Sequence, residues 1–444
     1  MTPEEFLRCY SGRKLLEYTK AVESLKLVPV RVRDAKVKAF IKKEKIDFDK
    51  DYVKAFLRAY RKNALADPAP RLIQPRDYRY LVSVGVFHKR IEHEVYRLCD
   101  KLFARLGSKF PTVMKGRNNG KRGKLAHAKW SRFSRPMALS IDATRFDQHL
   151  RRRGLLATHR IYGRYFKGRD RAVFMRLLSW CLRTVGCVRT PDGNVYYVNE
   201  DGNRCSGDFD TGFGNVLVVC LILWTFFMDV GVKFELMDDG DDCVIIVEEE
   251  DFTRLDGLAA HFLEFGFQIK RERTASVLEQ LRFCQCHPVF DGRRWVMVRN
   301  LTAFSKDCAV IGTPHSMAAW TDAVSQCGEA CAGGIPVWNS FYQFLRRSAD
   351  TPMRRRRRLD YSPLMESTGL WWMAKGMRRF FSSPSDEARV SFFKAFGVTP
   401  EAQIACEEWY DQYEFKLGPE TLAWSVHPGD ATAVAPLMGP AILA

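Results

Sequence analysis

The chain has 444 residues and a mass of 51.2 kDa, with 70 Lys and Arg against 52 Asp and Glu, a formal net charge of +18. Hydrophobic residues are 46% and charged residues 27%, ordinary globular proportions that exclude disorder as the main state. The length points to about two to four domains or one multi-lobed body, and the positive excess points to a polyanion, nucleic acid first and an anionic membrane second.

The longest apolar run, Val216 to Met228, is broken only by Thr225 and falls short of the roughly 20 residues that cross a bilayer as a helix. The opening MTPEEFLRCY lacks the apolar core of a signal peptide. Thirteen cysteines are scattered without a CxxC pair, which reads as reduced thiols in a cytosolic protein.

Residues 1–70 read as helical and basic. Phe6, Leu7, Tyr10, Leu15 and Leu16 recur at roughly helical spacing, and Val37, Phe40 and Ile41 are read the same way. Asp67-Pro68-Ala69-Pro70 is a breaker, followed by RLIQPRDYRY at 71–80 and a helical stretch through Ile91, Val95 and Leu98. The segment 115–135, KGRNNGKRGKLAHAKWSRFSR, is densely basic, and its Gly and Asn residues predict turns between cations rather than a helix face. Met137 to Ile141 predicts a buried strand. A Cys- and Gly-punctuated section, 181–215, leads into an apolar helix at 216–228. Phe234–Met237 and Cys243–Val247 flank DDGDD and predict a hairpin. Beyond residue 300 the pattern is helical, with five arginines at 354–358, and the small-residue-rich end predicts a loose tail.

The chemistry-bearing residues are carboxylates. Asp142 follows the strand, Asp147 lies five residues on, and Asp241 and Asp242 follow Gly240 at the hairpin tip. Two strand ends of one sheet bring Asp142 and Asp241 together. Unit charges about 4 Å apart repel by roughly 4 kcal/mol at an effective dielectric near 20, so such a cluster needs a proton or a cation. Oxygen donors suit Mg²⁺ or Mn²⁺, and two such ions serve phosphoryl transfer. Alone, a Gly-Asp-Asp triplet is more often a capped turn. Between the acidic sites runs Ser206-Gly207-Asp208-Phe209-Asp210-Thr211-Gly212-Phe213-Gly214-Asn215, a glycine-rich loop that lets backbone approach a nucleic-acid strand.

In this order the motifs resemble those of viral RNA-dependent RNA polymerases, specifically of the tombusvirus family of plus-strand RNA viruses and their relatives. SIDATRFDQH resembles polymerase motif A, SGDFDTGFGN motif B and Gly240-Asp241-Asp242 motif C. The basic run 115–135 resembles motif F, Phe265–Lys270 motif D, and Phe283-Cys284-Gln285 with Pro288-Val289 motif E. AFIKKEK at 39–45, RLIQPRDYRY, CGEACAGGIPVWNSFY at 327–342 and EARVSFFKAFGVTPEAQ at 387–403 extend the likeness over roughly residues 35 to 415. Asp239, with Asp238 before it, stands where a neutral residue is expected.

The resemblance implies an α+β right-hand polymerase fold with an antiparallel palm sheet backed by helices. It divides the chain into an N-terminal extension and fingers (1–136), palm (137–149), a fingers insertion (150–200), palm (201–301), a helical thumb (302–425) and a flexible tail (426–444). It implies an RNA-directed RNA polymerase that transfers ribonucleotides from nucleoside triphosphates to an RNA 3′-hydroxyl and releases pyrophosphate. Asp142 and Asp241 are then the main ligands of two Mg²⁺ ions (Mn²⁺ as substitute), with Asp242 weaker, and Lys270 protonates the leaving group. Asp147 and Asn215 read the ribose 2′-hydroxyl, supported by Ser206, Gly207 and Thr211. Lys115, Arg117, Lys129, Arg132 and Arg135 meet triphosphate and template, and Cys284 and Gln285 grip the primer strand. The implied setting is the host cytoplasm, in membrane-associated complexes anchored by an upstream viral replication protein.

Two rival readings exist. A reverse transcriptase usually carries an aromatic-x-Asp-Asp motif where this chain has Gly240-Asp241-Asp242, and a bulky aromatic at a corresponding place in motif A. A catalytically silent RNA-binding shell needs the basic groove but not the three aspartates. Cys284, Cys286 and His287 are close together and Cys327 and Cys331 are spaced by three residues, but CxCH lacks a usual zinc-finger spacing, and these read as structural or incidental thiols. Trp371 and Trp372 are expected in the core, and the 354–358 run reads as a solvated face.

Overall fold

The computed structural model describes residues 1–41, 72–190, 193–308, 317–349, 359 and 361–413. The Asp67–Pro70 breaker, the arginine run 354–358 and the expected tail lie outside them. The described residues fall into two compact units. Those within Met1–Lys42, Pro70–Lys115 and Phe133–Thr274 make up the first, and those within Gly116–Arg132 and Ala275–Ala444 the second.

At the centre of the first unit is a four-stranded sheet of order β6-β7-β3-β8, with β3 Pro136–Ala143, β6 Phe234–Asp238, β7 Asp242–Glu248 and β8 Ile269–Ala275. β3 and β7 run antiparallel from Pro136 opposite Glu248 to Asp142 opposite Asp242. β6 and β7 form the expected hairpin, Phe234 opposite Val247 and Asp238 opposite Cys243. β6 is buried along its whole length. The helix Thr211–Val230 belongs to the same core, its Val216, Leu217, Cys220 and Leu223 clustering with Leu139, Leu236 and Ile245. It is 20 residues long, not 13, and by length and composition alone is apolar enough to cross a membrane. Most of its side chains are buried in the core instead.

The long helix Tyr78–Arg105 carries Ile91 and Val95 inward as read from the sequence. Val37–Ile41 is a strand, β1, not a helix. It joins a second sheet, β2-β1-β4-β5, with β2 Leu72–Ile73, β4 Thr184–Thr190 and β5 Gly193–Asn199. β1 pairs parallel to β4 through Val37–Gly186 and antiparallel to β2 through Phe40–Ile73. Three apolar residues at 37, 40 and 41 do not distinguish the two periods, and pairing with a distant strand decided between them.

The second unit is largely helical around one hairpin, β9 Cys286–Phe290 and β10 Trp295–Arg299. Helices Met317–Ala332, Trp338–Ser348, Asp386–Phe396 and Pro400–Gln412 supply a core in which Phe304 stacks on Trp338 at 3.9 Å. The basic segment is not the turn-rich loop expected: Asn119–Trp130 is a helix, its start capped by the Asn118 side chain accepting from Lys121 N–H. Gly123 explains the choice. A Cβ there would stand 2.5 Å from the Val296 Cα and 2.6 Å from the Trp295 carbonyl oxygen, so the glycine lets this helix lie against β10. His127 stacks on Trp295 from the same face. Trp371 is buried, but Trp372 is 58% exposed with the Lys375 ammonium 5.3 Å over its ring, outside the core where it was expected.

Candidate active site

The acidic centre is built by pairing β3 with β7. Their register sets Asp142 directly opposite Asp242 at one end of the ladder. The Ala143 N–H donates to the Asp241 carbonyl across the same end. The turn between β6 and β7 closes through the Asp239 N–H donating to the Asp242 carbonyl, with Gly240 at φ +103°. An L-residue rarely adopts that angle. Asp142 and Asp242 are half-buried and Asp241 is exposed. Burial, and then the charges of Asp241, Asp142, Asp239 and Glu272, push the Asp242 carboxyl up to about 6. That repulsion is what a bound cation relieves. Among the described residues no three His, Cys, Asp or Glu side chains close a metal cage by themselves. An open, all-carboxylate edge fits Mg²⁺, which takes one or two carboxylates and completes its shell with water and substrate phosphates.

Asp147 lies on the short helix Phe146–His149, entered through Arg145 in the left-handed region at φ 49°. The Asn215 side-chain N–H₂ donates to Asp147 Oδ1 at 2.8 Å. Asn215 sits in the first turns of the Thr211–Val230 helix. Burial holds Asp147 above the usual carboxylate range, with the Asn215 hydrogen bond opposing it. The pairing of these two residues, 68 apart in sequence, is made by the tertiary fold.

The loop before Asn215 is held by contacts not visible in its own sequence. Ser206 Oγ accepts from the Gln74 N–H at 3.1 Å, and Gly207 bridges Pro75. The Thr211 hydroxyl donates back to the Cys205 and Asp208 carbonyls. Two buried ion pairs clamp the loop. Arg76 Nε donates to Asp208 Oδ1 at 2.5 Å, and Arg204 pairs with Asp210 at 2.5 Å. Tyr162 donates its hydroxyl to the other Asp210 oxygen at 3.1 Å. Arg76, Arg204, Asp208 and Asp210 were not singled out from the sequence. The signals were there: Arg76 within RLIQPRDYRY, and two aspartates inside a loop that the resemblance had already marked.

Lys115 turns toward the β6–β7 turn. Its ammonium lies 2.6 Å from Asp239 Oδ1 and donates to the Asp239 carbonyl at 3.0 Å. Burial works against that charge, yet Asp239, Asp238 and Asp241 outweigh it and raise the Lys115 pKa. Asp238 is fully buried and accepts from the Cys220 thiol. Burial, reinforced by Asp239, holds its carboxyl well above the carboxylate range. Its backbone pairs with Thr112 and Met114, extending the sheet edge. The two aspartates preceding Gly240 therefore have separate tasks: one is in the core and the other holds Lys115.

Lys270 is exposed on β8, the strand beside β3. The Arg135 side chain pairs with Glu249, and its N–H donates to Glu248. The remaining predicted residues belong to the second unit. Arg117 offers its carbonyl to Arg122 Nε. Arg132 is half-buried after the basic helix, and Lys129, on that helix, is 0% exposed, away from solvent rather than open to it. Cys284 and Gln285 form a tight turn, both at positive φ (50° and 58°), closed by the Phe283–Cys286 bridge. Twelve of the thirteen cysteines are free thiols.

The site thus joins a β-strand pair that ends on opposed aspartates to an Asp–Asn pair on the neighbouring helices. A family model described as viral RNA dependent RNA polymerase matches residues 1–418, and the chain belongs to that family. It is 37% identical over 404 residues to the RNA-directed RNA polymerase of Groundnut rosette virus (strain MC1), covering 90% of this chain and 45% of that protein. It is 35% identical over 422 residues to that of Tobacco necrosis virus (strain A), covering 94% and 55%. It is 37% identical over 419 residues to that of Turnip crinkle virus, covering 93% and 50%. The resemblance to tombusvirus-family polymerases stands, and the chain spans about half the length of the relatives it matches.

Proposed function

We propose that this chain catalyses template-directed RNA synthesis for replication of a plus-strand RNA virus genome. The observation that carries the reading is Asp142 facing Asp242 at the end of the β3–β7 ladder, in a chain matched by the viral polymerase family over residues 1–418. The sheet β6-β7-β3-β8 is the palm. The fingers lie within 1–136 and 150–200, and the thumb begins near 302.

Asp142 and Asp241, with Asp242 as the weaker ligand, would hold two Mg²⁺ ions, which would supply activation of the attacking 3′-hydroxyl and stabilisation of the leaving oxygen. Asp147 accepts the ribose 2′-hydroxyl while Asn215 orients the carboxylate, selecting ribonucleotides. Ser206, Gly207 and Thr211 keep the loop in place for that contact. Lys270 delivers a proton to pyrophosphate. Lys115, Arg117, Arg132 and Arg135 contribute positive charge toward triphosphate and template, and Cys284 and Gln285 seat the primer strand. The protein's part is positioning and charge stabilisation. Its setting is the host cytoplasm, in membrane-associated complexes anchored by an upstream viral replication protein.

The test is incorporation of labelled nucleotide on single-stranded RNA with Mg²⁺, Mn²⁺ or EDTA, supplying ribo- and deoxyribonucleotides separately. Metal-dependent incorporation of ribonucleotides alone is expected. Asp241→Ala is expected to abolish synthesis and leave RNA binding intact. Synthesis that survives this substitution overturns the metal assignment, and tight RNA binding without any synthesis favours the silent shell.

A further inference from the structure

In the second unit, the turn joining β9 to β10 and the segment after the helix Trp371–Ala374 border a half-open cavity of about 240 Å³ lined by Asp291, Arg293, Arg294, Arg378, Arg379 and Phe380. Four arginines against one aspartate give it a net formal charge of +3. Of the acidic groups nearby, Asp291 and Glu329 are already engaged, while Glu387 approaches the turn at Gly292. Asp291 Oδ1 accepts from the Arg293 and Arg294 N–H groups at 2.9 and 2.8 Å, and its Oδ2 lies 3.3 Å from Arg294 Nε. Buried Arg379 pairs with Glu329 at 2.9 Å, and Glu329 also holds Arg346 at 3.2 Å. Arg293 and Arg378 are exposed, and among the described residues neither guanidinium has a carboxylate partner.

Guanidinium groups gathered in a concavity repel one another and focus a positive potential that an anion neutralises. Their planar fork matches phosphate oxygens bidentately. The Arg293 guanidinium lies 4.8 Å over the Phe380 ring, so that face is occupied and not open for a base to stack on. Recognition here is of phosphates and not of the base. A charge of +3 within one small cavity is matched by contiguous phosphates better than by a single phosphodiester. We propose that this cavity binds a polyphosphate group, the triphosphate of a free nucleotide or of an RNA 5′ end. The site lies wholly within the second unit and does not depend on the catalytic assignments made for the first.

The test is direct binding of inorganic tripolyphosphate to the full chain by calorimetry in EDTA, which silences metal-dependent binding at the aspartates. One-to-one binding is expected, weakened roughly tenfold or more by the double variant Arg293→Ala/Arg378→Ala, with an unchanged melting temperature. Arg153→Ala/Arg169→Ala, which removes equal charge at exposed positions in the first unit, is expected to leave it unaltered. ATP, GTP and UTP are expected to compete alike. Arg293→Lys/Arg378→Lys is expected to recover only part of the binding, since it restores charge without the fork. Comparing 5′-triphosphorylated with 5′-hydroxyl RNA of one sequence, alongside free nucleotide, identifies which source the double variant affects. Absence of tripolyphosphate binding, equal weakening by the control pair, or binding unchanged in Arg293→Ala/Arg378→Ala overturns the proposal.

Discussion

Removing the Asp208 carboxylate isolates the energetics of the clamp on the loop that leads to Asn215. The Arg76 side chain is 0% exposed and that of Asp208 5%. Burial works against the Arg76 charge, and the Asp208 carboxylate outweighs it. In Asp208→Ala, Arg76 keeps the Ala35 carbonyl and the Cys205 sulfur as neighbours but no counter-charge at that position. The Cys205 N–H also loses its acceptor, Asp208 Oδ2 at 2.9 Å. Breaking a buried pair by deleting one partner costs about 3–5 kcal/mol, whereas replacing both by apolar groups is often neutral or stabilising. At about 2–4 °C per kcal/mol for a unit of this size, Asp208→Ala should lower the melting transition by roughly 6–20 °C. Arg76→Met/Asp208→Leu should melt closer to the unsubstituted protein than Asp208→Ala does. Differential scanning calorimetry of the three proteins decides the matter. A drop of less than about 2 °C in the single variant, or a double variant at least as unstable as Asp208→Ala, refutes the reasoning.

Stability should also depend on pH through His88 and His159, which burial pushes down to about 4. Above about 6.5 both are neutral folded or unfolded and their contribution is fully present. As pH falls from there toward 4 the unfolded chain binds protons that the folded chain refuses, costing up to about 1.4 kcal/mol per pH unit for each histidine. His88 packs among Tyr162, Phe174, Phe209 and Phe213, and its ring nitrogens have no partner among the described residues. His88→Phe should therefore roughly halve that slope in denaturant titrations; an unchanged slope would contradict the burial argument. Asn215→Ala removes one hydrogen bond to a carboxylate, worth about 1.5–3 kcal/mol. Ribonucleotide over deoxyribonucleotide preference in single-turnover assays should fall by at least roughly tenfold, and an intact preference would remove Asn215 from sugar selection. Gly123→Ala drives a methyl into the β10 backbone and should destabilise the second unit by about 1–3 kcal/mol; a neutral effect on unfolding would mean that helix and hairpin separate readily. RNA affinity should fall steeply with salt through counterion release, and a flat response would count against phosphate contacts by the basic residues.

Where local pattern was strong, sequence and structure agree. Phe234–Met237 and Cys243–Val247 around Gly240 could only form a hairpin, because two apolar runs flank a turn that tolerates positive φ. Ile91 and Val95 mark one face of a long helix. Val37–Ile41 was ambiguous because five residues carry too little period, and its partners Leu72, Ile73 and Gly186 to Val188 lie far along the chain. The basic segment misled because glycines signal turns on average. Gly120 and Gly123 instead lie within a helix, Gly123 because β10 approaches its backbone at a distance no other residue permits.

For the site, the sequence alone determined the chemistry on offer: carboxylates at 142, 147, 241 and 242, a glycine-rich loop, and an order of motifs that names a family. Side-chain type and spacing are covalent facts, and they survive in a string of letters. Which groups meet was decided only by the tertiary structure. The β3–β7 register set Asp142 against Asp242, a one-residue slip of which would turn every side chain of the strand to the other face. The buried Arg76 and Arg204 clamps, the Lys115–Asp239 pair and the division of labour between Asp238 and Asp239 arise from packing. Burial and counter-charge are properties of neighbours in space, not neighbours in sequence.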